Sequence, residues 1–226
     1  MTDLRGFGSL QQRWQNTRSI QFNGTTQYLS RAGLTGLPAA HTWFGWFKSA
    51  MVGIRYVLSI GSDANNREYV SHSGATIGYH RHVGGAVVSV TGVAVANVWT
   101  AFTCTRDATG LGAFFLDGAP VGVPILDAGT IPSPSPFLSV GSFWTGVAKF
   151  SGRISQVALL SGALPAPQVA WLAARPWYDL RARPDFVWGI NPMHIQDNTS
   201  GLIHDWSPTG QHLTPLNTPT IVDDAP

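Results

Sequence analysis

Between Ser19 and Leu160 the apolar residues fall in short runs, many alternating with polar ones, and glycine, asparagine and proline cut the runs at close intervals. Ser19-Ile-Gln-Phe-Asn-Gly points Ile20 and Phe22 to one side and then turns at Asn23-Gly24, a strand followed by a hairpin signal. Thr42 to Lys48 reads Thr-Trp-Phe-Gly-Trp-Phe-Lys, apolar on both faces, so this strand is expected between two layers. Further strands are predicted at 55–60, 67–70, 76–82, 86–90, 99–105, 111–116, 137–140 and 152–160. Turn-rich stretches at 61–66 and 106–110 separate some of them, and Asp117-Gly118 marks the clearest hairpin. Pro132, Pro134 and Pro136 remove ladder donors, so 131–136 is a loop. A single helix is predicted at 167–174: Pro167 suits its first turn, Val169, Leu172 and Ala173 share a face, and Pro176 stops it.

Many short strands, little helix and no internal repeat predict an all-β fold: a two-sheet antiparallel β-sandwich of jelly-roll type with one short helix and extended termini. The chain divides into an N-terminal arm (1–17), the sandwich (18–176) and an irregular C-terminal segment (177–226) that wraps the sandwich or a partner. The arm is polar apart from Leu4, Phe7, Leu10 and Trp14, and Phe7 and Trp14 are poor choices for a solvated tail. The last segment is punctuated by prolines yet holds Trp177, Tyr178, Phe186, Trp188 and Trp206, which argues for order rather than disorder.

Composition adjusts this picture in three ways. Hydrophobic residues make up 44% of the 226 and charged residues only 12%, about half the usual share of roughly 25%, which favours a surface covered by neighbours. The net charge is +2 without a basic run, and Arg181 and Arg183 are too few for a nucleic-acid stripe, so no nucleic acid is expected. Cys104, alternating with Phe102, is the only cysteine and reads as a buried strand thiol. No signal peptide is recognised and no run approaches a membrane span, so synthesis in a cytosol and no membrane partner are expected.

Candidate chemistry is sparse. Glycoside hydrolysis needs two carboxylates facing one bond, but Glu68 is the one glutamate, no Asp stands two or four residues from it, and Asp63 lies in a turn. Gly141-Ser142-Phe143 lacks the second glycine of a nucleophile elbow, and neither Lys48 nor Lys149 closes a phosphate loop. His80 and His82 share a strand face and, with His72, are either metal ligands or ordinary hydrogen-bonded histidines. Ser62-Asp-Ala-Asn-Asn66 offers oxygens to calcium, or simply forms an Asx-turn. No catalytic residue, cofactor site or metal site is assigned. Phe143 and Trp144, in Gly-Ser-Phe-Trp-Thr-Gly, stand in a loop after a strand, where they stack on a sugar, anchor a protein interface or pack beneath the loop.

Four stretches together resemble one family. Ser19-Ile-Gln-Phe-Asn-Gly-Thr-Thr-Gln-Tyr-Leu29, Asn97-Val-Trp-Thr-Ala-Phe-Thr103, Phe114-Phe-Leu-Asp-Gly-Ala-Pro-Val-Gly122 and Phe150-Ser-Gly-Arg-Ile-Ser-Gln-Val-Ala-Leu-Leu-Ser-Gly-Ala-Leu164 follow, in order, the strand motifs of concanavalin A-like and laminin-G-like domains. The family's acidic positions in the opening motif are Asn23 and Gln27 here. Gln168 to Leu180 is similar to the helix exit of phage- and prophage-encoded members, and Trp188 to Thr214 to a lead-in that in those members precedes the sandwich. The resemblance implies a non-enzymatic virion structural protein, a capsid decoration or tail-associated accessory made in the host cytoplasm. Such a protein contacts major capsid or tail proteins and forms a dimer or trimer. Phe7, Trp14, Phe143, Trp144, Trp188 and Trp206 are its candidate partner-interface residues. The alternative it implies is a carbohydrate-binding, lectin-like module for host-surface recognition.

Overall fold

Among the described residues, fifteen strands carry the architecture. They are β1 (Ser19–Asn23), β2 (Tyr28–Arg31), β3 (His41–Ser49), β4 (Ile54–Asp63), β5 (Asn66–Ser73), β6 (Thr76–Val83), β7 (Ala86–Val93) and β8 (Thr100–Arg106). They continue as β9 (Leu111–Leu116), β10 (Ala119–Leu126), β11 (Phe137–Val140), β12 (Ser151–Ser161), β13 (Phe186–Ile190), β14 (Thr214–Leu216) and β15 (Thr220–Val222), with one helix, α1 (Ala166–Ala173), after β12. The computed structural model describes residues 18–32, 37–50, 52–63, 65–129, 131, 137–143, 146–176, 178, 180–190 and 212–226.

Two antiparallel sheets face each other. One runs β10-β9-β8-β3-β12-β1-β15, with β13 also paired to β12; the other runs β14-β2-β11-β4-β5-β6-β7. β3 lies between two layers, as its two apolar faces require. Trp43 and Phe47 join the inter-sheet core, while Phe44 and Trp46 join a second cluster on the opposite face of the same sheet. Val169, Leu172 and Ala173 of α1 cover that second cluster. The β9–β10 turn is tight because Asp117 (φ 49°) and Gly118 (φ 82°) both adopt the left-handed conformation that a two-residue hairpin loop demands. A side chain at Gly118 would meet Ala170 Cα at 2.8 Å, so the hairpin tip fits directly beneath the helix. Pro120 and Pro124 sit in β10, an edge strand, where missing ladder donors are tolerated. Cys104 is buried in the core. Among the described residues no helix is long and apolar enough to cross a membrane.

Two expectations need correction. The loop foreseen at 61–66 contracts to a two-residue turn, because β4 continues to Asp63 and β5 starts at Asn66, which pair with each other. Residues 177–226, expected to be irregular, contribute three strands in their described parts. β13 pairs with β12 at Val157–Leu160, just beyond the stretch of β12 that pairs with β1; β15 extends the sheet past β1, and β14 extends the other past β2. Each strand satisfies backbone groups that would otherwise stand on an open edge. Trp188 accordingly does not present itself to a partner. It is fully buried, with its ring 6.2 Å from Trp43 in an edge-to-face contact. The proposed arm at 1–17 lies outside the described residues.

A candidate ligand-binding face

Glu68 turns its carboxylate into the sandwich. Oε1 accepts from His41 Nε2 (2.8 Å) and from Trp43 Nε1, and Oε2 accepts from Tyr79 Oη and Arg81 Nε, each at 3.2 Å. His41 Nδ1 lies 2.8 Å from the Pro38 carbonyl, so both ring nitrogens face acceptors. Arg81 and Arg106 converge on the Asp127 and Gly129 carbonyls, and Arg81 also meets the Asp127 carboxylate at 3.2 Å. Burial alone would raise the Glu68 pKa. The charges of His41 and Arg81 and the hydrogen bonds from His41 and Trp43 outweigh it and hold the carboxyl down to about 2. Glu68, Tyr79 and Arg81 belong to one sheet, His41, Trp43 and Arg106 to the other. The chain's one glutamate is therefore an ionised brace between the sheets, occupied on both oxygens.

The outer face of the seven-stranded sheet differs in character. Register aligns Ser30, Ser139, Ser59, Tyr69, His80 and Ser89 in one row across β2, β11, β4, β5, β6 and β7, while the neighbouring row of Leu58, Val70, Tyr79 and Val90 faces the core. A β-bulge between Tyr56 and Leu58 shifts the register of β4, so Tyr56 comes opposite Ser71 and joins Tyr69 on the outer side. The segment leaving β11 folds over this face. It is pinned by Ser59 Oγ donating to the Ser142 carbonyl (3.1 Å) and by the hydroxyl pair Ser139–Ser142 (2.5 Å). It is closed by Phe143 N–H bonding to the Val147 carbonyl and Gly146 N–H to the Phe143 carbonyl.

Phe143 thereby settles against the sheet. Its ring centroid is 4.5 Å from Tyr56 and 5.7 Å from Tyr69, and Tyr69 stacks on His80 at 4.7 Å and 17°. The Arg67 guanidinium lies 4.8 Å over the Phe143 ring. Its Nη2 approaches His82 Nδ1 at 3.3 Å, and His82 Nε2 lies 3.0 Å from Tyr69 Oη. Arginine can only donate, so Nδ1 accepts and the neutral His82 donates from Nε2 to the tyrosine. Burial pushes the His80 pKa down to about 4, with the neighbouring His82 adding to the effect; burial and Arg67 lower that of His82. Burial raises the pKa of both Tyr56 and Tyr69. The result is a half-buried patch of three aromatic rings, two imidazoles and one guanidinium on the outer face of this sheet.

Of the residues singled out in the sequence, Phe143 is at this patch. Phe7, Trp14, Trp144 and Trp206 lie outside the described residues, and Trp188 is in the core. His80 and His82 share the outer face, but His72 points to the opposite side, buried against Phe150 and 3.2 Å from Ser49 Oγ. Among the described residues no three His, Cys, Asp or Glu side chains converge to hold a metal ion. At 62–66 the Asp63 carboxylate is taken up by Asn65 N–H (2.7 Å) and the Asn66 side chain, an Asx-turn. Sequence reasoning missed Tyr56, Arg67 and Tyr69.

Comparisons with known proteins place this geometry. No curated protein sequence matches the chain. Solved structures do. A Bacteroides ovatus protein described as carbohydrate-binding aligns at TM-score 0.70 and 18% identity, covering 92% of this chain and 60% of its own. The CBM40 module of the Ruminococcus gnavus IT-sialidase aligns at 0.56 and 14%, covering 70% and 98%. A heptameric SAP-like pentraxin of Limulus polyphemus aligns at 0.57 and 19%, covering 70% and 82%. At these identities the likeness is one of fold. The family model for the concanavalin A-like lectin/glucanases superfamily matches residues 23–170, the stretch that holds β2 to β12, the Glu68 brace and every member of the aromatic patch, and to that superfamily this chain belongs.

Proposed function

We propose that the chain is a non-catalytic carbohydrate-binding module that takes a glycan on the outer face of its seven-stranded sheet. The observation that carries the reading is the patch of Tyr56, Tyr69 and Phe143. These half-buried rings lie on the outer side of the seven-stranded sheet, and a loop bonded to the sheet through Ser59 and Ser139 keeps Phe143 in place. Aromatic faces pack against the C–H surfaces of sugar rings, while the half-buried histidines and a guanidinium offer hydrogen bonds to hydroxyls. The names borne by the solved neighbours, two of them carbohydrate-binding, support the same reading. Glu68, the residue a glycosidase would need most, is buried and fully engaged, which favours holding a sugar over cleaving it. Of the terminal aromatics that pointed to a virion protein, Phe7, Trp14, Trp177 and Trp206 lie outside the described residues and Trp188 is buried in the core.

The test is a glycan screen followed by titration calorimetry on the wild type and on Tyr69→Ala, with thermal melts to confirm folding. The expected result is at least one glycan bound by the wild type and at least about tenfold more weakly by the variant, as for an interface aromatic worth roughly 2 kcal/mol. A folded wild type that binds nothing across a broad screen would sink the proposal.

A further inference from the structure

The outer face has a charge pattern that narrows the ligand. Arg67 is half-buried among aromatic rings, one Nη is shared with His82, and its Nε is shielded from solvent without a hydrogen-bond partner among the described residues. Among the described residues no carboxylate on the sheet answers it. The seven strands carry two acidic residues in all: Glu68 points into the core and is consumed by the inter-sheet brace, and Asp63 sits at the β4–β5 turn, bonded to Ser62, Asn65 and Asn66. A guanidinium partly withdrawn from water with only a neutral imidazole and aromatic faces around it is under-compensated, and a planar anion relieves that deficit better than a hydroxyl does.

We infer that the glycan bound on this face is acidic, its carboxylate or sulfate group meeting Arg67 at the edge of the Tyr69–Phe143 aromatic patch. This rests on the carbohydrate-binding reading above and narrows it to a substrate class. Arg67 presents its second Nη toward the anion while the first Nη keeps its bond to His82, and the rings take the sugar's apolar face. The same guanidinium sets specificity, because a neutral sugar leaves its charge without a counter-ion.

The experiment titrates wild-type protein with matched oligosaccharides: a neutral parent, its sialylated or uronate-bearing counterpart and its sulfated counterpart, each at low and high salt. At least one acidic member should bind about tenfold or more tighter than the neutral parent, with the advantage shrinking as salt rises. Preference for the carboxylated or the sulfated member identifies the source of the charge. Arg67→Gln should remove the preference in protein that thermal melts show to be folded, and Arg67→Lys should keep part of it. Binding of the neutral parent as tight as that of both acidic members overturns the inference and leaves the carbohydrate-binding reading standing. Binding of no member by folded protein overturns both.

Discussion

Replacing Glu68 with glutamine removes one negative charge from the brace and leaves His41 and Arg81 facing a neutral group inside the sandwich. The magnitude can be worked in two ways. The carboxyl is held at about 2 against an ordinary 4.5, and at about 1.4 kcal/mol per unit this corresponds to roughly 3 kcal/mol. Removing one partner of a buried ion pair costs about 3–5 kcal/mol in general, and Arg81 keeps its Asp127 contact, which places the variant toward the lower end. In a domain of this size roughly 3 kcal/mol lowers Tm by about 6–12 °C. The pH dependence identifies the cause. A folded pKa below the unfolded one means the unfolded chain binds more protons as pH falls through this range, so the brace contributes fully above about 4.5 and is lost as pH drops through about 2. The assay is denaturant unfolding of wild type and Glu68→Gln at intervals from pH 7 to pH 2. The gap between them should be wide and constant down to about pH 5 and should close toward pH 2. Equal stability at pH 7, or a gap that does not narrow with acid, would refute the brace as described.

Trp188→Ala should destabilise by about 3–5 kcal/mol, as expected for a buried aromatic, because the side chain is fully buried against Trp43; a melt within 1–2 °C of wild type would contradict its place in the core. His72 and His80 both have pKa values lowered by burial to about 4, below the roughly 6.5 of the unfolded chain. Between those values the unfolded chain binds more protons, so stability should fall as pH drops from about 6.5 to 4. The double variant His72→Asn/His80→Asn should flatten that slope, read from unfolding midpoints at pH 7 and 4.5.

Much of the scaffold was legible because its determinants are local. The two apolar faces of Thr42–Lys48, the Asp117-Gly118 turn and the Val169/Leu172/Ala173 stripe each need only a few neighbouring residues to be read, and each takes its expected place. β13, β14 and β15 were not legible, since short segments such as Phe186–Ile190 become strands only through ladders to residues far earlier in the chain. The brace was hidden for the same reason: Glu68 stands 27 residues from His41 and 25 from Trp43. At the candidate site the obstacle was the bulge in β4. Strict alternation puts Tyr56 on the same side as Leu58, in the core, and the extra residue at Val57 sends it to the outer face instead. Phe143 was singled out because its loop position is visible in the sequence, whereas Tyr69, between Glu68 and Val70, reads equally well as core.

The claim on which the account turns is that the outer face of the seven-stranded sheet is where ligand sits. Backbone and aromatic chemical shifts recorded while the best-binding glycan is titrated test it directly. The account predicts shifts concentrated at Tyr56, Arg67, Tyr69, His80, His82 and Phe143. Saturable binding that leaves those residues unmoved and perturbs the face beneath α1 or the β7 and β10 edges would contradict it.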